Sequence, residues 1–424
     1  MVPKELLSVL QFMYQWGWMA APVVLFFVWR GVWLKWVQKG YAEKAEWITL
    51  ELKIPHGVER TPKVMEQVFG GLHAAHKPSI NFKEKWWDGK HQLYISMEIA
   101  GIGGAIHFYV RTPREFQKII ESQIYAQYKD SEITEVTDYM TGLPLDIPNK
   151  TYDLFGMELM FTKDDAYPIR TYRFFEEPST EKKYIDPLAS LMEVLGELKQ
   201  GEQIWLQYLI KPVGTEWQKK GQHLIDRLIG KKDAKGASSN VVEEVFQFFY
   251  DLVAAVALGE ISQGSPEKKE EKPKPETMMM HLSPGMKDVI AALEESISKH
   301  GFEVVIRIVY IARREIFDRS NIAATFGSFK QFSTYNLNGF KPNSKVIPAI
   351  NYVFKKKREY MRKRRLYMWA RGREFTQIPA QKKMILNTEE LATIYHVPSV
   401  VLEVPMLARI AAKKAEPPPH LPTL

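Results

Sequence analysis

Cysteine is absent from this sequence of 424 residues. Its absence excludes disulfide bonds, zinc–thiolate sites, iron–sulfur clusters and thiol nucleophiles together. It also agrees with a protein body that stays in a reducing compartment, so the composition favours a cytosolic body.

Motifs for phosphate binding and for nucleophilic catalysis are lacking as well. Neither the loop G-x-x-x-x-G-K-[ST] nor the serine motif G-x-S-x-G occurs in the sequence. Gly101, Gly103 and Gly104 lack the third glycine of a dinucleotide fingerprint, because Ile106 stands in its place, and a hairpin turn explains them. We therefore expect neither an enzyme nor a cofactor.

A metal site is not expected either. His73 and His76 stand three residues apart near the end of a predicted helix, with His56 nearby. Two imidazoles at this spacing can share a metal, but no paired carboxylate or third spaced histidine accompanies them. Asp164 and Asp165 precede Pro168, which is typical of a solvated turn.

The N-terminal segment is rich in apolar residues, which run from Leu6 to Trp29 with few interruptions. About 20 such residues cross the hydrocarbon core as a helix. Tryptophans lie at both ends of its most apolar part, Trp16 to Trp29, and cations follow: Trp16, Trp18, Trp29, Trp33, Trp36, Arg30, Lys35, Lys39 and Lys44. We predict a transmembrane helix in the inner (cytoplasmic) membrane, single-pass, with the C-terminal body cytoplasmic. A cleaved signal peptide and a buried or interfacial helix are the alternatives, and no small-x-small site supports the first.

The remaining chain alternates helical and strand-like segments. Four predicted helices begin with a capping residue before proline, at Thr61-Pro62, Thr112-Pro113, Asp186-Pro187 and Ser283-Pro284. Strand-like runs lie between them, at Trp47–Ile54, Gln92–Ala100, Ala105–Arg111 and Glu132–Asp138. This order predicts a ferredoxin-like βαββαβ unit, and the fold class is α+β.

A second α+β unit follows and is less regular. Met157–Thr162 and Thr171–Phe175 are predicted to form a hairpin, and Gln203–Ile210 and Phe302–Ala312 are predicted strands. An insertion divides the unit, with an amphipathic helix at Val241–Leu258 and a Pro/Lys/Glu-rich linker at Ser262–Thr277.

The predicted organisation has six parts. They are the anchor (1–45), the first α+β unit (46–150), the first part of the second unit (151–230), the insertion (231–282), the remainder of the second unit (283–400) and a proline-rich tail (401–424).

The strongest charge feature is a basic run near residue 360, where part of the net charge of +8 is concentrated. Its cations are Lys355, Lys356, Lys357, Arg358, Arg362, Lys363, Arg364 and Arg365. Aromatic and methionine residues lie between and around them: Tyr352, Phe354, Tyr360, Tyr367, Met368 and Trp369. Three interpretations stay open, namely a solvated helix face, contact with anionic lipid, and contact with nucleic-acid phosphates with aromatics available for stacking.

The last predicted element is a short capped helix. Asn387 is its capping residue and Glu390 completes a capping box. Leu391, Ile394 and Tyr395 form its buried side, and Pro398 ends it.

Five segments carry a resemblance to a known family. They are TPKVMEQVFGGLHAAH (61–76), HFYVRTPREFQKIIESQIYAQYKDSEI (107–133), DPLASLMEVLGELKQGEQIWLQYLIKP (186–212), FKQFSTYNLNGFKP (329–342) and LNTEELATIYHVPS (386–399). The chain resembles the poorly characterised region before the motor domain of membrane-linked ATPases of conjugation and type IV secretion. These ATPases are of the TraC and HerA/TraD-like kind, in versions from candidate-phylum bacteria.

The resemblance implies a role beside a motor. In that family the LN-x-EELA-x-x-YH-x-P stretch marks the junction with the ATPase, so the candidate junction residues are Glu389, Glu390, Leu391, Tyr395 and His396. Only a short tail follows Pro398, and no catalytic residue of the family has a counterpart here. The implied partner is therefore a separate hexameric ATPase.

We expect a membrane-anchored, non-catalytic docking or scaffold subunit of a conjugation-like machine. The alternative is a membrane-tethered nucleic-acid-binding module that uses residues 352–369. The expected partners are the membrane, the ATPase and, as further candidates, DNA and a second copy of the chain.

Overall fold

The structure is a computed structural model, and it describes residues 4–53, 61–77, 80–175, 186–230, 282–350, 354–375 and 384–398. The predicted insertion helix at Val241–Leu258, the linker at Ser262–Thr277 and the proline-rich tail lie outside the described residues.

The first part of the described chain holds four helices and four strands. They are α1 (Lys4–Lys44), β1 (Trp47–Lys53), α2 (Lys63–Leu72), α3 (Phe82–Trp86), β2 (Ile95–Ile102), β3 (Ala105–Pro113), α4 (Gln117–Gln127) and β4 (Glu132–Glu135). Gly103 and Gly104 make the β2–β3 turn with φ of 57° and 89°, which glycine adopts without a steric penalty.

The second part of the described chain adds five strands and six helices. They are β5 (Tyr152–Phe161), α5 (Ala189–Gly196), β6 (Glu202–Pro212), α6 (Glu216–Leu228), α7 (Pro284–Ile297), β7 (Gly301–Arg313), α8 (Ser320–Phe329), β8 (Phe340–Pro342), α9 (Lys355–Gly372), β9 (Ile385–Asn387) and α10 (Thr388–Ile394). Ser283 caps α7 by accepting from the Met286 backbone N–H, with Pro284 in the first turn.

All nine described strands belong to one antiparallel sheet, in the order β4-β1-β3-β2-β6-β7-β5-β8, with β9 paired to β7. The halves meet where β2 pairs with β6, from Ile95 opposite Ile210 to Ile102 opposite Gln203. The two α+β stretches therefore share a continuous sheet.

The two faces of the sheet are covered differently. On the first face, α2, α4, α5, α8 and α10 bury the larger core, with Phe69, Ile120 and Leu195 among its residues. On the second face, α9 and the loop near residue 140 bury a smaller core around Trp205 and Leu366. Because strand side chains alternate between faces, β7 supplies both cores.

The transmembrane prediction was wrong. In the described residues, no helix combines the length and the apolar character needed to cross a bilayer. The later part of α1 instead packs on the body: the Trp33 indole N–H donates to the Trp86 carbonyl at 2.9 Å, and the Arg30 guanidinium lies 5.3 Å from the Trp86 ring. The expectation of a single-pass protein in the inner membrane with a cytoplasmic body is corrected with it.

Two smaller predictions were also wrong. Residues 152–161 form one continuous strand that pairs with β7 and β8, and the second arm of the predicted hairpin is a 3₁₀ helix, Tyr172–Phe175. Thr112 does not cap a helix, because it lies in β3 and a 3₁₀ turn precedes α4.

Candidate functional site: the basic helix α9 and its buried mount

Helix α9 carries the predicted basic run, and it is held against the second face of the sheet by one narrow side. Leu366, Tyr367 and Ala370 are buried there, together with Lys363. The Tyr367 hydroxyl donates to the Pro144 carbonyl at 2.6 Å, which ties the helix to the loop near residue 140. The helix is rich in Lys and Arg and contains one carboxylate, Glu359, so most of its surface is cationic.

A row of polar side chains crosses the sheet beneath the C-terminal end of α9. Glu98, Gln207, Arg307 and Glu158 stand opposite one another on β2, β6, β7 and β5, and all four are buried. We call these residues the polar row. They share a face because each occupies the matching alternate position of its strand.

Arg307 is the centre of the polar row and is fully buried. Its guanidinium donates to Glu158 Oε1 at 2.7 Å and to the carbonyl oxygens of Trp369 and Glu374, both at 2.9 Å. Gln207 donates to the Ala370 carbonyl at 2.9 Å. Trp369 and Ala370 also accept the backbone N–H groups of Glu374 and Arg373, at 2.9 and 3.1 Å. The side-chain bonds therefore add a second donor to carbonyls at the end of the helix, where a cation complements the helix dipole.

Directly after α9, Arg373 makes a second set of buried contacts. We call the polar row, Arg373, Asp138 and Tyr139 together the mount of α9. The Arg373 backbone is left-handed, with φ of 47°. The guanidinium donates to Glu98 Oε1 at 2.6 Å and to Asp138 Oδ2 at 2.5 Å. Tyr139 donates to the other Glu98 oxygen at 2.8 Å. The C-terminal end of α9 is thus fixed by two buried arginines.

The electrostatics of this mount favour the charged forms of Arg373 and Asp138. Burial lowers the pKa of Arg373, but the charges of Glu98 and Asp138 outweigh burial, and the pKa lies well above its ordinary value. Burial raises the pKa of Asp138, yet the bonds from Arg373 dominate and lower the pKa overall. Burial and the nearby Glu98 raise the pKa of the Tyr139 hydroxyl, which stays a donor.

The predicted contact cations divide into two groups. Arg362 donates to the Ile347 carbonyl at 2.8 Å, and the Lys363 ammonium lies 2.9 Å from Asp153 Oδ1 and 3.3 Å from Glu359 Oε1, so both are engaged within the chain. The other six are exposed: Lys355, Lys356, Lys357, Arg358, Arg364 and Arg365. Arg365 lies 4.9 Å from the Trp369 ring centre.

The interleaved aromatic residues also divide. Phe354 and Tyr360 are exposed, and so is Met368. Tyr367 is buried in the second core, whereas Tyr352 lies outside the described residues. The exposed surface of α9 and its N-terminal flank therefore combines cations with two aromatic rings.

The five candidate junction residues are placed inside the body. Glu389, Glu390, Leu391, Tyr395 and His396 are all buried. Glu389 pairs with Lys299 and with Arg173, the latter at 3.2 Å, and His396 Nε2 lies 3.0 Å from Asp186 Oδ1. A contact of these residues with an ATPase remains a prediction, and their burial does not favour it.

The capping box at Asn387 and Glu390 has the predicted geometry. Glu390 accepts the backbone N–H of Asn387 and also that of Ile169, both at 2.8 Å. Burial raises the pKa of Glu390 to about 8, against the lowering effect of these two bonds. The box therefore joins α10 to the segment after β5.

The predicted pair His73 and His76 stacks with a third histidine that the sequence did not indicate, His300. The ring centres lie 5.5 Å apart for His73 and His76 and 4.4 Å apart for His73 and His300. Burial lowers the pKa of His73, and the charges of His300 and His76 act in the same direction. Over the described ranges, no three His, Asp or Glu side chains are arranged to hold a metal ion.

The sequence patterns did not single out the buried residues of the mount. The available signal was a charged residue inside an otherwise apolar strand, as for Glu98, Glu158 and Arg307. Such residues are almost never fully buried unless paired, so their positions indicated buried partners.

Comparison with known proteins gives one finding. No curated protein matches this chain. The model of a family described as a domain of unknown function, DUF8128, matches residues 37–408. This match carries no link to conjugation or type IV secretion ATPases, so the assignment to such a system is not supported. Since the match covers most of the sequence, the chain belongs to the DUF8128 family of domains of unknown function.

Proposed function

We propose that the protein is a non-catalytic binding module that contacts nucleic-acid phosphates through the exposed cations of α9. The observation that carries this proposal is the contrast between the two sides of the helix. One side is buried on the sheet and its C-terminal end is held by Arg307 and Arg373, whereas the other side presents cations from Lys355 to Arg365.

The charge of this surface is available to a ligand. In the part of the chain that the structure describes, no ion pair joins Lys355, Lys356, Lys357 or Arg364 to a carboxylate. The one acidic residue of α9, Glu359, is bound by Arg319 at 3.1 Å and by Lys363 at 3.3 Å. Unneutralised cations on a fixed helix attract a polyanion and release its counterions on binding.

The size of the surface also fits a nucleic acid. Lys355 and Arg365 lie about 15 Å apart along the axis at about 1.5 Å per residue, which is long enough to face several phosphates. Tyr360 on the helix and Phe354 directly before it are exposed and offer rings on which unpaired bases can stack. This combination favours single-stranded nucleic acid over a bare polyanion.

The test measures binding of a fluorescein-labelled single-stranded oligonucleotide by anisotropy over about 50 to 200 mM salt. The test variant replaces Lys355, Lys356, Lys357 and Arg364 by Gln. We expect the slope of log K against log salt to fall by about 0.7 for each phosphate that the variant no longer neutralises.

The matched control removes the same charge elsewhere. It replaces Lys83, Lys118, Lys129 and Lys287, which are exposed and lie on α3, α4, the loop before β4 and α7. The control should keep the wild-type slope. Equal weakening in both variants would mean that net charge alone binds the oligonucleotide, and the proposed site would be abandoned.

Stacking has its own test. The double variant Phe354→Ala, Tyr360→Ala should weaken binding by about 1–3 kcal/mol for each stacked base while leaving the salt slope unchanged. Unchanged affinity would reduce the proposal to phosphate contacts.

The docking role beside a separate hexameric ATPase is ranked second, because its candidate contact residues are buried. If the chain co-purifies with a hexameric ATPase and none of the α9 substitutions weakens this association, the order of the two proposals would be reversed.

The expectation of no catalysis is tested by incubating the purified chain with nucleotide and measuring turnover.

A further inference from the structure

A large cleft lies between α6 and the edge strand β8, away from the exposed cations of α9. Its volume is about 950 Å³. It opens where β5 ends, near Phe161, whereas Lys363 of α9 is bound near the beginning of β5, at Asp153. A cleft of this size falls within the range of small-molecule sites.

The floor of the cleft is apolar and its rim is cationic. Met160, Phe161, Leu224, Met384 and Ile385 are among the apolar lining residues. Lys220 and Arg227 are two turns apart on α6 and therefore face the cleft from one side. Lys341 of β8 faces it from the sheet edge.

One wall of the cleft is a loop whose shape is fixed from inside. The fully buried Asn338 accepts the Lys163 backbone N–H at 2.9 Å and donates to the carbonyls of Asp164 and Tyr167, both at 3.0 Å. The Lys163 ammonium donates to the Tyr335 and Asn336 carbonyls, both at 2.8 Å, and lies 5.3 Å from the Tyr167 ring centre. A buried amide that holds a loop in this way makes the wall pre-formed.

The charges on the rim decide the class of ligand. In the described ranges, no ion pair joins Lys220, Arg227 or Lys341 to a carboxylate. Asp164 and Asp165 of the loop also line the cleft, and each has an interaction of its own. Three cations above an apolar floor match a ligand that has an anionic group at one end and an apolar group at the other.

We propose that this cleft binds a mononucleotide, with its phosphates on Lys220, Arg227 and Lys341 and its base on the apolar floor. This inference goes beyond the phosphate-contact function of α9 and does not depend on it. The site is a binding site only, and no reaction step is assigned to it.

The test is titration calorimetry of the full chain with AMP and with ATP. The variant Lys220→Gln, Arg227→Gln should weaken binding by about tenfold for each charge-assisted hydrogen bond that is removed. The matched control is Lys118→Gln, Lys219→Gln, in which Lys219 is an exposed neighbour of Lys220 that does not line the cleft. The control should bind as the wild type does.

Three results with nucleotides would overturn the proposal, and a fourth comes from the oligonucleotide assay. They are no binding of either nucleotide, equal weakening in the control, and competition by pyrophosphate as strong as that by ATP, which would show that the base is not recognised. The α9 variant separates the two sites, since it should lose oligonucleotide binding and keep nucleotide binding. If the cleft variant instead lowers the slope of log K against log salt for oligonucleotide binding, the cleft belongs to the nucleic-acid-binding surface. The mononucleotide assignment would then be wrong.

Discussion

At the scale of single residues, the most unusual feature is a fully buried arginine that holds two elements at once. Arg307 pairs with Glu158 and donates to two carbonyls at the end of α9. A buried ion pair adds little net stability compared with an apolar pair, but breaking it leaves an uncompensated charge. The Arg307–Glu158 pair therefore matters more for the position of α9 than for net stability, although removing Arg307 alone is costly.

The first prediction concerns this residue. Arg307→Met should destabilise the fold by about 3–5 kcal/mol, because Glu158 stays buried without its cation. The double variant Arg307→Met, Glu158→Leu should recover most of this stability, and the remainder reports the lost bonds from Arg307 to the Trp369 and Glu374 carbonyls. Urea unfolding gives both values. Arg314→Met, at a half-exposed pair with Asp153, should cost only about 0–1 kcal/mol, and an equal cost at both arginines would contradict the argument.

The second prediction concerns Glu390 and pH. Burial raises its pKa in the folded chain from 4.5 to about 8, so the folded state binds the proton more tightly than the unfolded state does. Its contribution to stability is therefore complete below about pH 4.5 and declines as pH rises to about 8.

The matched variant Glu390→Gln cannot titrate. The difference in unfolding free energy between wild type and Glu390→Gln should shrink across this pH window, as measured by urea unfolding at several pH values. The variant should also be less stable at low pH, because its amide has one oxygen where the carboxyl group uses two, for the N–H groups of Asn387 and Ile169. A difference that is independent of pH would show that the folded and unfolded states bind the Glu390 proton equally, and the raised pKa would be wrong.

The residues of the mount mark a limit of sequence reasoning. Alternation along β7 correctly indicates which positions share a face, and it puts Arg307 on one of them. The pattern does not tell which charge on another strand compensates it. Glu158 lies far away in sequence, and the pairing of β5 with β7 sets their contact. Lys363 shows the same limit within a single helix, since the periodicity of the basic run does not separate this buried lysine from its exposed neighbours.

At the scale of elements, α9 approaches the sheet closely because β5 has a glycine beneath it. A Cβ at Gly156 would lie 2.4 Å from the Ile308 carbonyl oxygen and 3.1 Å from Leu366 Cδ2. Glycine in the interior of a strand often marks such a close approach.

The third prediction follows from this contact. Gly156→Ala should destabilise the chain by about 1–3 kcal/mol, because the added methyl forces β7 or α9 to shift. Gly142→Ala is the control, since a Cβ there meets nothing within 4 Å. Thermal unfolding measures both. A neutral Gly156→Ala would show that α9 moves without cost, and the fixed mount would then be an incorrect description.

Helix α1 shows why an apolar run predicts an element better than it predicts its environment. The helical assignment follows from the apolar composition, and the structure has a helix over Lys4–Lys44 although Pro22 lies inside it. The membrane assignment rested on the same residues, but Trp33 also has a polar group that donates to the body. A tryptophan with one apolar face and one donor suits both settings, so tertiary contacts decide between them.

At the scale of the whole molecule, the alternation of strands and helices was enough to indicate an α+β protein. It was not enough to join the halves, because the β2–β6 pairing connects strands that are distant in sequence and leaves no local periodic signal. The insertion also separates α6 from α7, whose contact completes a third core around Trp217 and Leu293.

The last prediction is that both halves unfold together. The larger core runs across the join, with Ile99 of β2 and Leu206 of β6 opposite each other and both buried in it. The polar row crosses the same join from Glu98 to Gln207. Unfolding one half would therefore expose an unpaired strand of the other together with part of its core, and this strongly disfavours a half-folded state.

Calorimetry measures this cooperativity directly. The calorimetric and van't Hoff enthalpies of the full chain should agree, and amide protons of β3 and β7 should exchange with similar free energies. Two separated transitions, or β3 amides exchanging well before those of β7, would show that the halves are independent units that share an edge without sharing stability. In that case Ile99→Ala would lower only the transition of the first half, whereas one cooperative sheet requires it to shift the single transition by about 2–5 kcal/mol.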